Sequence, residues 1–196
     1  MEDLNLQIAN CTRCDLHKTR NKAVPGEGPP DAKVMFIGEA PGRNEDQQGR
    51  PFVGAAGKLL DELLAKAGLK REEVFIGNIL KCRPPQNRDP EDKEIETCSP
   101  YLEKQIMLIK PKLIVSLGRF AARVMLGRQI SMRETHGKMV DCSYGGWKGK
   151  LFIAYHPATA LYGTPRDELD YDFSKLGEIL ENLDGLKVSR QTTLFE

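Results

Sequence analysis

Largely apolar residues fall into four short runs, each followed by a polar loop or a turn. The runs cover residues 33–37, 74–80, 113–117 and 151–155, and their many Val, Ile, Leu and Phe residues predict buried β-strands. Residues 139–142 are a further extended stretch, which we interpret as the hairpin partner of the last run. Because helical patterns separate the runs, the sequence predicts an α/β fold: three layers, α/β/α, with a central, mostly parallel four-stranded sheet.

Helical periodicity is clear in three segments between and after these runs. Residues 55–67 place four leucines on one face. Asp89 and Pro90 predict the start of a second helix, with Asp89 as its N-cap, and Pro111 predicts its end. A final helix is predicted over residues 165–183.

Length and composition are those of a globular protein. The chain has 196 residues, of which 40% are hydrophobic and 29% charged, so we expect a single domain over residues 1–186 and a flexible tail over residues 187–196. No run approaches a membrane span, and the N-terminus lacks a secretory pattern, so we expect a cytoplasmic protein without membrane contact. The net charge of +1 does not by itself indicate a nucleic-acid partner, although a local basic patch can provide one.

A long loop, residues 38–54, separates the first predicted strand from the first helix. Ligands usually bind at the carboxyl ends of strands in an open sheet, and a plain connection there needs only about 2–6 residues. Polar loops after two other strands converge on the same edge. Together the loops supply an aromatic ring, amides, an imidazole and carboxylates: Glu39, Glu45, Phe52, Asn78, Asn87 and His156. Each has an equally good structural explanation alone, but their joint placement predicts a site for a small planar polar ligand.

Four of the five cysteines form a candidate metal site. Cys11 and Cys14 make a C-x-x-C pair, Cys82 lies in the second polar loop, and Cys98 lies on the helix that follows. Four thiolates can hold tetrahedral zinc or an iron–sulfur cluster. Spacing alone does not choose between them, although a larger cluster tolerates the wide separation better. Cys142 falls outside the set, and we interpret it as a buried, small apolar residue.

Several motifs together resemble one family, from about Cys11 to the final helix. They are the C-x-x-C pair at residues 11–14, V-P-G-E-G at 24–28, G-E-A-P-G-x-x-E-D at 38–46, G-R-P-F-V-G at 49–54, N-I-L-K-C-R-P-P at 78–85, Cys98, and H-P at 156–157. The chain resembles the family-4 uracil-DNA glycosylases, the iron–sulfur type typical of thermophilic archaea and bacteria. The resemblance implies a uracil-DNA glycosylase-like fold and a structural 4Fe–4S cluster on Cys11, Cys14, Cys82 and Cys98.

The resemblance also implies a reaction: hydrolysis of the N-glycosidic bond of flipped-out uracil in DNA, which leaves an abasic site and begins base excision repair. Carried onto this sequence, Phe52 stacks on the uracil, and Asn78 bonds the pyrimidine edge and rejects cytosine. His156 donates to a uracil carbonyl oxygen as negative charge develops. No lysine nucleophile is placed in this set, so we expect a monofunctional glycosylase without lyase activity.

The catalytic carboxylate is assigned less directly. The better-studied uracil glycosylases have an Asp where this chain has Ala40, and alanine cannot position water. The resemblance therefore directs attention to Glu39 at the edge of the base pocket and to Glu45 slightly further away, held by Asn87. Backbone amides of the same loop, including those of Ala40 and Gly42, are expected to face the base.

The loop after His156 is the family's DNA-inserting loop, but here it lacks the usual serine and arginine. Leu161 is the candidate wedge that fills the vacated stack, with Ala160 as the alternative. Contacts to DNA phosphates then fall to other basic residues. The candidates are Lys81, Arg83, Arg88, Arg119 and the segment 18–22. The resemblance leaves open whether single- or double-stranded DNA is preferred.

The C-terminal residues Gln191–Phe195 resemble a shortened sliding-clamp-binding peptide, which makes a sliding clamp a candidate partner. We otherwise expect a monomer. Two other classes of protein stay open. An electron-transfer or redox-sensing iron–sulfur protein explains the cysteines but needs no Phe, Asn and His at strand ends. A zinc-bearing DNA-binding module without catalysis is mildly disfavoured by the near-neutral charge.

Overall fold

The computed structural model describes residues 1–161, 163 and 165–183, and a five-stranded sheet forms its centre. The strands are β1 (Val34–Gly38), β2 (Phe75–Asn78), β3 (Leu113–Leu117), β4 (Lys138–Tyr144) and β5 (Trp147–Ala154). Their order across the sheet is β2-β1-β3-β5-β4, with every neighbouring pair parallel except β4 and β5. The predicted α/β class and mostly parallel sheet are confirmed.

The predicted number of four strands is wrong, because the hairpin partner β4 joins the same sheet as an antiparallel edge strand. Its register runs from Lys138 opposite Ile153 to Tyr144 opposite Trp147. The tight Gly145-Gly146 connection allows β4 to fold directly back along β5. The four parallel strands therefore make the central part of the sheet, and β4 closes one edge.

The described residues contain seven α-helices and four short 3₁₀ turns. The helices are α1 (Glu2–Ala9), α2 (Arg43–Gln48), α3 (Ala55–Lys66), α4 (Asp92–Ile109), α5 (Arg119–Leu126), α6 (Met132–Thr135) and α7 (Arg166–Asn182). The 3₁₀ turns are Asp15–Lys18, Arg71–Glu73, Pro85–Asn87 and Pro157–Leu161. No helix in this part of the chain is long and apolar enough to cross a membrane.

Two hydrophobic cores, one on each face of the sheet, give the three layers. Alternate residues of β1 show the division: Met35 and Ile37 pack with α1, α4 and α5, whereas Val34 and Phe36 pack with α3 and α7. This alternation follows from the two-residue period of a strand. Because both faces are covered, the strands are apolar throughout, as the continuous runs predict.

Two details of the predicted helices and loops are wrong. The second long helix begins at Asp92 with Glu91, not Asp89, as N-cap, because the Glu94 carboxylate accepts the Glu91 N–H at 2.9 Å in a capping box. The long loop after β1 is interrupted by helix α2, which ends where Gly49 adopts φ 77°.

The predicted tail, including Gln191–Phe195, lies outside the described residues. The predicted domain boundary at residue 186 also lies outside them.

Candidate active site

An open cleft of about 920 Å³ lies at the carboxyl edge of the parallel strands, where the topology places ligand sites. It brings together all the residues that the sequence predicts for base binding and catalysis: Glu39, Ala40, Gly42, Glu45, Phe52, Asn78, Asn87 and His156. A volume of this size admits a nucleotide. Leu161 is not among the lining residues; it ends the turn Pro157–Leu161 and is 51% exposed.

Phe52 and His156 form the aromatic part of the cleft. Their ring centroids are 5.5 Å apart, and the ring planes are inclined at 30°. Gly38, the last residue of β1, lies beneath, and a Cβ there would collide with the Phe52 ring and with Asn78 Oδ1. The close approach of the ring and the amide therefore requires glycine at the end of this strand.

Asn78 ends β2 with its amide buried and incompletely paired. The residue is 2% exposed, and within the part of the chain that the structure describes its Oδ1 has no hydrogen-bond partner. A buried acceptor without a donor costs roughly 1–3 kcal/mol, so this oxygen is suited to a donor supplied by a ligand. The backbone is held firmly, because Lys81 Nζ donates to the Asn78 carbonyl oxygen at 2.7 Å.

His156 is held as a neutral imidazole. The Ala158 N–H donates to its Nδ1 at 3.1 Å, which leaves the ring proton on Nε2. Burial lowers the pKa of His156 to about 4, although the nearby Glu45 carboxylate acts in the opposite direction. At neutral pH the residue is therefore an uncharged donor through Nε2.

Glu45 is anchored by the backbone that carries Phe52. Its Oε1 accepts the N–H groups of Val53 at 2.9 Å and Gly54 at 3.0 Å. Asn87 lines the cleft but does not hold Glu45 here, because its Oδ1 accepts from Arg83 Nε at 2.7 Å. The carboxylate and the aromatic ring are thus parts of one hydrogen-bonded loop.

The Glu39 carboxyl group has a raised pKa. Burial raises the pKa of Glu39 to about 7, the Asp89 carboxylate adds to the shift, and Arg119 opposes it. Near neutral pH both protonation states are populated, which suits a group that accepts a proton during a reaction.

Arg71 supports the unusual backbone of the aromatic loop, a feature that the sequence analysis missed. Phe52 has φ 50°, and its carbonyl oxygen accepts from Arg71 Nη1 at 3.3 Å, while that of Pro51 accepts from Nη2 at 2.7 Å. The guanidinium is in turn paired with Glu27 and Asp61. No local motif around Arg71 indicated this, because its partners are distant in sequence.

Further cleft residues were also missed, although the strand-end rule could have found them. Tyr155 directly follows β5, and Phe120 lies beside the predicted Arg119 just after the turn that follows β3. The Arg119 guanidinium lies 4.7 Å from the centre of the Phe120 ring. Of the predicted phosphate-binding residues, Arg88 and Arg119 line the cleft, but Lys81 is fully buried and bound to Asn78 and Gln105, so its prediction was wrong.

A second cavity, which we call the cysteine pocket, is lined by Cys11, Cys14, Cys82 and Cys98. Arg20 Nη1 donates to Cys82 Sγ at 2.9 Å, and the Lys81 N–H donates to Cys98 Sγ at 3.3 Å. Four thiols with cationic and amide donors around them match the ligand chemistry of an iron–sulfur or zinc site. Among the described side chains, however, no three His, Cys, Asp or Glu residues are grouped as a ready-made metal site.

Cys142 is separate from the cysteine pocket, as predicted. It is buried on β4, and its thiol donates to the Met125 carbonyl oxygen at 3.2 Å.

Comparison with known proteins agrees with this architecture. The family model for the uracil DNA glycosylase superfamily matches residues 25–178. The chain is 46% identical over 201 aligned positions to the type-4 uracil-DNA glycosylase of Archaeoglobus fulgidus, covering 100% of this chain and 98% of the relative. It is 48% identical over 191 positions to that of Saccharolobus solfataricus, covering 93% and 88%. A type-5 uracil-DNA glycosylase of Thermus thermophilus is 32% identical over 151 positions, covering 69% and 68%. The chain therefore belongs to the uracil-DNA glycosylase superfamily and, within it, to the type-4 group.

Proposed function

We propose that this protein is a monofunctional uracil-DNA glycosylase, which hydrolyses the N-glycosidic bond of flipped-out uracil in DNA and leaves an abasic site. The observation that carries the proposal is the buried Asn78 amide, whose Oδ1 lacks a partner among the described residues and lies beside the Phe52 ring. A planar base with a donor on its edge satisfies both groups at once. Membership of the type-4 group supports the same substrate.

The pattern of donors and acceptors favours uracil over cytosine. Uracil presents an N3–H donor and an O4 acceptor, so the Asn78 amide can accept at Oδ1 and donate from Nδ2. Cytosine presents an unprotonated N3 and an amino donor, which leaves Asn78 Oδ1 facing a lone pair at N3. A site built for one pattern rejects the other strongly, because buried polar groups are then left unpaired.

Bond cleavage moves negative charge onto the base and positive charge onto the sugar. The electron pair of the C1′–N1 bond goes to the uracil ring, and the neutral His156 stabilises the resulting anion by donating from Nε2 to the carbonyl oxygen. The sugar becomes oxocarbenium-like, and water adds to C1′. We assign the proton of that water to Glu39, whose pKa of about 7 suits it to accept one. Glu45 is anchored by two backbone amides, and we assign its carboxylate to stabilising the positive charge that develops on the sugar.

The nucleotide reaches this cleft only after leaving the base stack. We propose that Leu161 occupies the vacated space, because it is an exposed apolar side chain at the end of the turn that begins beside His156. Ala160, which is half-buried and packed against the core of α3 and α7, is a weaker candidate. A sliding clamp is a further proposed partner through Gln191–Phe195, which lie outside the described residues.

We also propose that Cys11, Cys14, Cys82 and Cys98 hold a 4Fe–4S cluster. When bound, the cluster supplies a covalent link between the N-terminal segment, the loop after β2 and helix α4. None of the steps above passes through it. The support is the convergence of four thiols on one cavity together with membership of the type-4 group.

The test uses matched oligonucleotides that carry uracil, cytosine or thymine at one position, in single- and double-stranded form. After incubation, abasic sites are cleaved with alkali. We expect strand breaks only at uracil. The Asn78→Ala variant should slow release by roughly 10- to 100-fold, the value of about 1–3 kcal/mol for one buried hydrogen bond. Absence of breaks with folded, metal-replete wild-type protein would contradict the proposal.

A further inference from the structure

A buried acid outside the cleft, Asp46, is bound at both carboxylate oxygens by one residue of a distant segment. Asp46 is 1% exposed. Its Oδ1 accepts the Asn21 backbone N–H at 2.9 Å, and its Oδ2 accepts from Asn21 Nδ2 at 2.5 Å. Neither residue lines the cleft. A charged group held this way in the interior must be matched by its partners, because losing one leaves a buried charge incompletely satisfied.

On one side, this pair controls the orientation of the helix that carries Glu45. Helix α2 has six residues, Arg43–Gln48, too few to be stable alone. Asp46 follows Glu45 directly, so a rotation of α2 that frees Asp46 also moves Glu45 away from the amides of Val53 and Gly54. The two hydrogen bonds from Asn21 therefore join helix α2, at the residue next to Glu45, to a segment distant in sequence.

On the other side, the pair connects to the cysteine pocket. Arg20, the neighbour of Asn21, donates from Nη1 to Cys82 Sγ at 2.9 Å and from Nη2 to the Ala9 carbonyl oxygen at 2.9 Å. A continuous series of hydrogen bonds and covalent links thus runs from Cys82 through Arg20, Asn21 and Asp46 to Glu45.

We propose that Asn21 and Asp46 are positioning residues: their paired hydrogen bonds fix helix α2 so that Glu45 stays against the loop that carries Phe52. The proposal rests on the proposed glycosylase function only for its kinetic readout.

The pair can be broken and rebuilt. Asp46→Ala removes both acceptors of the Asn21 donors, and Asn21→Asp sets two carboxylates against each other. The exchange Asn21→Asp with Asp46→Asn restores both bonds, because residue 46 again accepts the backbone N–H while its amide donates to the new carboxylate. Asn21→Ala is the milder variant, because it keeps the hydrogen bond from the backbone N–H of residue 21 to Asp46 Oδ1. It should fold even if Asn21→Asp does not. Gln47→Ala, at an exposed neighbouring position of α2, is the matched control.

Single-turnover uracil release and binding to uracil-containing DNA are measured on the full chain, with iron content determined for every variant. We expect Asp46→Ala and Asn21→Asp to slow release by roughly 100-fold, the effect of misplacing a group by about 1 Å. Asn21→Ala should be slowed less. Binding to uracil-containing DNA should change little. The double variant, Asn21→Asp with Asp46→Asn, should recover most of the lost rate, and the iron content should be the same in all variants.

Hydrogen exchange at the amides of Val53 and Gly54 gives a readout that does not depend on activity. We expect faster hydrogen exchange of these two amides in the single variants. Protection should return in the double variant, Asn21→Asp with Asp46→Asn, and Gln47→Ala should behave like wild type. Wild-type rate and protection in both Asn21→Ala and Asp46→Ala would overturn the proposal. A folded double variant, Asn21→Asp with Asp46→Asn, that is as slow as Asn21→Asp alone would overturn it too. If the wild-type protein releases no uracil but hydrogen exchange follows the expected pattern across the variants, the glycosylase function is contradicted and the positioning role is supported.

Discussion

The cleft and the cysteine pocket share one short segment, residues 78–82, but differ in whether their polar atoms have hydrogen-bond partners. Asn78 ends β2 at the cleft, and Cys82 lies four residues later in the cysteine pocket. In the cleft, Asn78 Oδ1 has no partner within the described residues. In the cysteine pocket, Cys82 and Cys98 each accept a hydrogen bond. The first region therefore offers an acceptor that a ligand can satisfy, whereas two thiols of the second already have donors from the protein.

Lys81 lines the cysteine pocket and also forms a hydrogen bond with Asn78 of the cleft. Its Nζ donates to the carbonyl oxygen of Asn78 and to Gln105 Oε1, and its backbone N–H donates to Cys98 Sγ. The difference between the regions shows where substitutions should act: changes in the cleft should affect the chemical step, and changes in the cysteine pocket should affect the stability of the fold.

The largest expected effect on the reaction comes from His156→Ala. Removing the Nε2–H donor should slow single-turnover uracil release by about 10²–10³-fold, because charge on the departing base loses its stabilising donor. Binding to uracil-containing DNA, measured in parallel, should change far less. Equal losses in rate and binding would show that His156 acts in substrate binding instead.

Cys98→Ser should act on stability. Losing one ligand of the proposed cluster should remove the visible iron–sulfur absorption and lower the unfolding temperature by on the order of 10 °C. Cys142→Ser is the matched control, since this cysteine is equally buried but outside the cysteine pocket. Iron retained by Cys98→Ser, or lost from Cys142→Ser, would contradict the assignment of ligands.

The pH dependence should separate the two titrating groups of the cleft. Glu39 has a raised pKa of about 7, so the proton-accepting form increases as pH rises, and the rate of release should rise through pH 7 and then level off. His156, with a pKa of about 4, stays neutral over this range, so its titration should not change the rate there. Glu39→Gln should lower the rate and remove the rise; an unchanged profile would exclude Glu39 as the titrating group.

The smallest effect is expected at the DNA-contacting turn. Leu161→Ala should slow uracil release from double-stranded DNA by roughly 10-fold. Flipping the nucleotide costs a few kcal/mol of base stacking, and the variant loses the part of this cost that the leucine wedge offsets. Single-stranded substrate, with no stack to fill, should be nearly unaffected. Leu108→Ala on α4 is a control of similar exposure, 54% against 51%. Equal effects on both substrates would argue against a wedge.

The sequence predicted well what depends on strand ends. Glu39 directly follows β1, Asn78 ends β2 and His156 lies two residues after β5, so the parallel order of the strands is enough to bring them together. The alternation of strands and helices along the chain likewise predicted a sheet covered on both faces. The strand count was missed, because a run such as 139–142 does not reveal whether its hairpin joins the main sheet.

Contacts between distant segments could not be predicted. Arg71 lies 19 residues from Phe52, and Asn21 lies 25 residues from Asp46. Neither Arg71 nor Asn21 belongs to a spaced motif. Such partners depend on how the helices and loops pack, which local periodicity does not encode. The same applies to the anchor of Glu45, which is backbone from Val53 and Gly54 rather than the predicted Asn87.

The loop held by Arg71 has a consequence for the entropy of binding. Phe52 adopts a left-handed backbone conformation that is unfavourable for a residue with a side chain, and two carbonyl oxygens fixed by one guanidinium maintain it. The conformational freedom of this ring is therefore lost during folding, before any DNA arrives. An incoming base meets a surface that is already rigid, so little of its binding free energy is consumed in ordering the protein.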